Sequence, residues 1–461
     1  MVKPDVHYAR NRGVALAYQV VGDGPRDILL VSGFLSNIEY AWSYPSLARF
    51  LSRIAGFSRL ILMDRRGSGL SDRVSELPTI ETTLADLEAV LDEVGSPKTT
   101  LFGLWDGCLT STLFAATRPE RTAGLVLFSA SPAQTPKDDF ATAWTEDEWA
   151  EWLATIRDGW GTRAWIVRNA RWMGPSMLDD RSELEHWITY IRLSASPSSA
   201  EAVMRQHKDT DIRRVLPVVQ APTLVLHRTG DLVEEIASGR YVAEKIPGAR
   251  FAELAGGDGI PWLGDADAVL DAVEGFVTGD AGPAPAPGRR LATVLFTDIV
   301  GSTEQVVALG DAAWRRRVAE HDRAIRRELA AGGGTFVDAA GDGVLATFDG
   351  PAVAVRCAHA IMRAVEPVGV RLRAGVHTGE VELDGDRVRG VAVHIGARVV
   401  ALAGPGEVLV TSTVRDLTVG SGLAYADAGE HPLKGIPDRW RLYRVADPAP
   451  PRRDPAATVG R

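Results

Sequence analysis

The sequence predicts two folded units of unlike class. An α/β unit with a mostly parallel sheet and a helical cap comes first, and a smaller α+β unit on the ferredoxin-like plan follows. Three observations predict this. Up to about residue 278, short apolar runs alternate with helical patterns, as in a parallel sheet covered on both faces. From about Pro136 to Leu216 the apolar strand runs stop and a tryptophan-rich helical stretch replaces them. Then "GDAGPAPAPGRR", Gly279 to Arg290, inserts a Pro/Ala spacer with nothing to bury, and the order of elements changes behind it.

In chain order, "DILLVSG", "RLILMD", "TTLFG", "GLVLFSA" and "PTLVLHR" read as buried strands. "TLADLEAVLDEVG" and "DADAVLDAVEGFV" read as amphipathic helices. The inserted stretch carries Trp144, Trp149, Trp152, Trp160, Trp165, Trp172 and Trp187, expected mainly in the core of a cap rather than around a ligand. Behind the spacer, "RLATVLFTDIV" is a strand and "DAAWRRRVAEHDRAIRRELAA" a helix. "GTFVDAAGDGVLATFDG" is a hairpin with Asp-Gly in its turn. "AVAVRCAHAIMRAV" is a helix, "VRLRAGVHTGEV" a strand and "GVAVHIGARVVALA" a helix. Strand–helix–hairpin–helix–strand is the ferredoxin-like order. The expected limits are 1–278 for the first domain with its cap at about 136–216, 279–289 for the linker, 290–446 for the second domain, and a disordered tail over 447–461.

The chain has 461 residues, 45% of them hydrophobic and 24% charged, the composition of a soluble multidomain protein. Its net charge of −9 speaks against broad binding to nucleic acid or to an anionic membrane. No run approaches the roughly 20 apolar residues of a membrane span, and "MVKPDVHYARNRG" lacks the apolar heart of a signal peptide. Cys108 and Cys357 lie in different units, which argues against a disulfide framework or a cysteine-rich metal site. A cytoplasmic location is the expectation.

In the first unit "LFGLWDGCLT" has the strand, tight turn and helix of a nucleophile elbow, with Gly103 and Gly107 in place and Trp105 between them. With "VSGFLSN", "DRRGSGLSD" and "HRTGDLVEE", residues 5 to 278 resemble the α/β-hydrolase superfamily. The resemblance puts Asp231 at the acid position and Gly259 where relatives carry the histidine base. Trp105 has no nucleophilic atom, and the next histidine after Asp231 is His321, beyond the linker. Hydrolysis is therefore not expected. An indole at the elbow would either plug the old cleft or stack on a small apolar ligand.

In the second unit "FTDIVGST" ends a strand in Asp298, turns at Gly301, and opens a helix with Ser302 and Thr303, whose free N–H groups would seat phosphate. "AAGDGVLATF" puts Asp342 at a hairpin tip, which the ferredoxin-like order brings beside Asp298. Two such carboxylates next to an anion seat suit Mg²⁺ or Mn²⁺ bound together with substrate phosphates. These motifs, with "GVHTGEV", "GVAVHIGARV", "GPGEVLVT" and "HPLKGI", resemble the class III nucleotide cyclases over about Arg289 to Val445. The two-domain layout resembles actinobacterial proteins that join a hydrolase-like domain to a cyclase.

That resemblance implies two metal ions per site, on Asp298, Asp342 and the Ile299 carbonyl, and an adenylate cyclase that works as a homodimer. It implies Arg398 as a transition-state donor and puts His394 where the family has asparagine. Lys434 would reach the terminal phosphates. Where the family reads adenine with a lysine and an aspartate, this chain has Asp338 and Arg387, so charge has traded places. ATP is the expected substrate and GTP stays open. A degenerate, nucleotide-binding cyclase is the alternative.

Overall fold

A computed structural model describes residues 3–33, 35–74, 78–279, 288–340, 343–384 and 387–446. Most of the expected linker, Asp342 at the hairpin tip and the tail over 447–461 lie outside the described residues, as does the side chain of Thr303. By internal contacts the chain divides into two units, Met1–Ala292 with Gly379–Gly390, and Thr293–Thr378 with Val391–Arg461.

The first unit is built on an eight-stranded sheet: β1 His7–Asn11, β2 Val14–Val21, β3 Asp27–Val31, β4 Arg59–Met63, β5 Thr99–Leu104, β6 Thr122–Phe128, β7 Thr223–Arg228 and β8 Arg250–Leu254. The order is β1-β2-β4-β3-β5-β6-β7-β8. β2 pairs antiparallel with β1 and β4, and every other pairing is parallel. β5 and β7 are buried along their whole length, which is why they read as unbroken apolar runs. Between β6 and β7 the cap adds helices Glu146–Gly159, Arg163–Met173, Arg181–Ser194 and Pro197–Asp209. Their starts are written locally. Thr145 and Glu148 form a capping box, Asp180 accepts from Ser182 and Glu183, and Ser196 caps with Pro197 at the first helical position. Trp149, Trp160, Trp165 and Trp187 are buried, while Trp144, Trp152 and Trp172 are partly exposed.

The second sheet has β9 Arg289–Ile299, β10 Thr335–Ala340, β11 Gly343–Phe348, β12 Leu372–Asp384, β13 Arg387–Arg389, β14 Val408–Thr411, β15 Tyr425–Pro432 and β16 Arg439–Val445. The order β10-β11-β9-β12 is the ferredoxin-like core, extended by β14, β16 and β15. Helices Asp311–Ala331 and Pro351–Val365 pack on the face that carries Val408 and Val410. Helix Val391–Leu402 packs on the opposite face, against Leu409 and Leu442. Among the described residues, no helix is long and apolar enough to cross a membrane.

Candidate functional site

β5 ends at Leu104 and helix Asp106–Thr117 begins two residues later, so Trp105 alone makes the turn. It does so at φ 51°, ψ −119°, a strained conformation for an L side chain. The flanking glycines allow it. A Cβ on Gly107 would collide with the Val31 carbonyl, and one on Gly103 would stand 2.8 Å from the Cα of Cys108. The backbone of a nucleophile elbow is intact and presents an indole.

That indole reaches Gly259, where the resemblance expects the base. Trp105 Nε1 donates to the Gly259 carbonyl at 2.6 Å, and its ring meets Trp262 edge-on. A Cβ at Gly259 would lie 2.9 Å from Asp231 Oδ1. The positions that the resemblance gives to nucleophile, base and acid are thus adjacent, and of their residues only Asp231 carries an ionisable group. Asp231 accepts from Ser129 Oγ at 2.5 Å and from the Val233 amide at 2.8 Å, and burial pushes its carboxyl upward. His227 lies 3.9 Å from Asp231 but is no substitute base. It is fully buried, its Nε2 is bonded to the Glu234 carbonyl, and burial holds its pKa down. The loop bearing Gly259 is stapled by Arg228, 1% exposed, which donates to the carbonyls of Asp258, Ile260, Leu263 and Asp265. Beside the indole, seven tryptophans, Trp105 among them, line a cavity of about 70 Å³.

In the second unit, Asp298 stands at the end of β9, one residue before buried Ile299. Gly301 then turns the chain in the left-handed region, φ 67°, into helix Ser302–Leu309. Thr297 pairs with Val344, so the start of β11 runs beside Asp298. Asp342 itself is outside the described residues. Asp298 Oδ2 accepts from Arg373 Nε at 2.8 Å and Nη2 at 2.5 Å, and Arg373 Nη1 also donates to the Ala401 carbonyl. Reading the sequence does not single out Arg373. Its signal is a charged side chain set among the apolar residues Leu372, Ala374 and Val376 of "VRLRAGVH", at a position where β12 passes Asp298.

His394 and Arg398 share the exposed face of helix Val391–Leu402, whose Ile395 and Val399 are buried. Arg398 Nε donates to the Lys434 carbonyl at 3.3 Å, which places these two residues together, and the Lys434 side chain is exposed. Asp338 on β10 and Arg387 on β13 are both exposed. Arg387 pairs with Asp384 in the β12–β13 ladder. Among the described residues no three of His, Cys, Asp and Glu form a metal-holding group. Asp298 by itself has the chemistry for a hard cation: an oxygen donor at a strand end, 27% exposed, already facing a positive group.

Residues 28–265 match the α/β hydrolase fold family. A probable esterase of Oryza sativa subsp. japonica is 22% identical over 257 residues, 55% of this chain and 92% of the relative. The enol-lactonase structure from Burkholderia xenovorans LB400 aligns with a TM-score of 0.51 at 24% identity, covering 59% of this chain and 100% of its own. A pH-sensitive adenylate cyclase of Mycobacterium tuberculosis is 35% identical over 176 residues, 35% of this chain. This chain spans 42% of that cyclase's length.

Proposed function

The chain belongs to the α/β hydrolase fold family, and from that premise we propose that its first unit performs no hydrolysis and that its last third cyclises ATP to 3′,5′-cyclic AMP and pyrophosphate in a cytoplasmic homodimer. The observation that carries the reading is Asp298, set at the end of β9 over a left-handed turn into a helix, in a region similar to adenylate cyclases. Trp105 and Gly259 carry the other half, because acyl transfer has neither a nucleophile nor a base to start it.

The ribose 3′-hydroxyl attacks the α-phosphorus, and pyrophosphate leaves. Two Mg²⁺ or Mn²⁺ ions on Asp298, Asp342 and the Ile299 carbonyl would supply charge neutralisation to the triphosphate and acidify the hydroxyl. Backbone N–H groups at Gly301, Ser302 and Thr303 seat phosphate oxygens. Arg373 holds the Asp298 carboxylate in place and would give up part of that contact to a bound metal. Arg398 of the partner subunit donates to the charge growing on the phosphate, His394 adds a weaker single donor where the family has asparagine, and Lys434 balances the terminal phosphates. Asp338 and Arg387 read the base, with ATP preferred to GTP. Incubating the purified chain with ATP or GTP and either metal tests the reading: cyclic AMP with a divalent-metal requirement supports it. Bound nucleotide without product would favour the second reading, a nucleotide-binding module, for which the histidine at position 394 speaks.

A further inference from the structure

We propose that the tryptophan-lined cavity of the first unit binds a small organic cation, an ammonium with an apolar, methylated head, with Glu234 as its counter-ion. This site is separate from the proposed cyclase chemistry and needs none of its residues.

In five of the seven lining rings the indole nitrogen is already taken. The indole N–H groups of Trp105, Trp149, Trp152, Trp160 and Trp165 are each bonded elsewhere: to the Gly259, Gln134 and Ala195 carbonyls, to Asn169 Oδ1 and to Thr155 Oγ1. Trp152 meets Trp144 at 84° and Trp149 at 83°, so neighbouring walls stand nearly perpendicular. Aromatic faces are negative, and a cation enclosed by several of them is attracted to all. The polar lining has the matching sign. Asp106, Gln134, His207 and Glu234 face the cavity, and no lysine or arginine lines it. Asp106 already has Arg65 at 3.0 Å. The partners of Glu234 are neutral donors, Gln134 Nε2 at 3.0 Å and the Ser131 hydroxyl. His207 Nδ1 is buried without a partner among the described residues, and in the tautomer protonated on Nε2 it is a further acceptor. Neither Asp231 nor Gly259 lines the cavity, so Trp105 walls the ligand off from the remnant of the hydrolytic site.

Around Glu234 the titratable groups are Asp231 on its own loop, His227 on β7, Asp106 and Cys108 on the helix after the elbow, and His207 from the cap. Burial keeps both histidines neutral at neutral pH, so none of these supplies a positive charge. Burial pushes the Glu234 carboxyl up to about 8. An entering cation must draw off that proton, so its affinity rises with pH up to that value, whereas a neutral ligand gains nothing.

The probes are choline and its neutral isostere 3,3-dimethylbutan-1-ol, titrated into the full chain below and above pH about 8 and followed by tryptophan fluorescence and calorimetry. Choline should bind at least about tenfold more tightly, with the gap widening as pH rises. Glu234→Gln should erase the preference while the isostere still binds. Should that variant fail to fold, Trp152→Leu, which keeps an apolar wall and removes a π face, should narrow the gap in the same direction. Equal binding of both probes, no binding of choline, or an unchanged preference in a folded Glu234→Gln chain overturns the assignment.

Discussion

Trp105 sits at φ 51° in a turn whose usual purpose is to expose a nucleophile, and its indole bonds across to Gly259, where the resemblance expects the base. Restoring one group cannot restore the chemistry. Trp105→Ser should leave turnover of a p-nitrophenyl ester at background, because Gly259 still offers nothing to take the serine proton; measurable hydrolysis would mean a base exists elsewhere. Asp298→Ala should lower cyclic nucleotide formation by a hundredfold or more, roughly the loss expected when a main charge-stabilising element is removed. Arg373→Ala removes the cation that competes for the Asp298 carboxylate. The half-saturating metal concentration should therefore fall a few-fold. A fourth residue speaks through stability. The Glu234 carboxyl titrates at about 8 when folded, above its unfolded value of 4.5. Between those values the unfolded chain has lost a proton that the folded chain keeps, so this group makes stability fall as pH rises toward about 8 and then level off. Glu234→Gln should flatten that fall, and melting temperatures of both proteins across the window measure it.

At the scale of elements, the elbow and the stapled loop fix the first unit's site. Gly107→Ala drives a Cβ into the Val31 carbonyl with no flexible neighbour to yield, and should cost about 2 kcal/mol or more by chemical denaturation. Much of this architecture is legible in the sequence. β3 to β7 are visible because each is a short apolar run between turn signals, and the cap because its tryptophans follow a helical rhythm. β15, "YADAGEHP", is half or fully exposed along its length and shows no apolar run, so the terminal hairpin with β16 escapes a pattern search. The N-terminal strand β1 and the outer strand β8 escape for the same reason. Asp298, Gly301, Ser302, His394 and Arg398 stand out as candidates because each lies in a compact local motif. Glu234, Gln134 and His207 do not. Gln134 and Glu234 are 100 positions apart and meet only because the cap segment leaves the sheet and returns. Arg373 shares that difficulty: its ion pair spans 75 positions.

For the whole molecule, a single cyclase unit per chain makes a shared site the decisive question. In the proposed homodimer a second copy would cover exposed apolar groups, and Val307, 82% exposed, and Val391, 61%, are the candidates. Val307→Asp should shift the chain toward monomer in light scattering and lower cyclase activity in proportion. The most direct measurement combines two dead variants. Asp298→Ala and Arg398→Ala should each be inactive alone, since each spoils both sites of its own dimer. Mixed in equal amounts and allowed to exchange, half the dimers would be hybrids holding one site with both residues intact, so about a quarter of native activity should return. A mixture as inactive as its two components would contradict a catalytic site assembled from Asp298 of one subunit and Arg398 of the other.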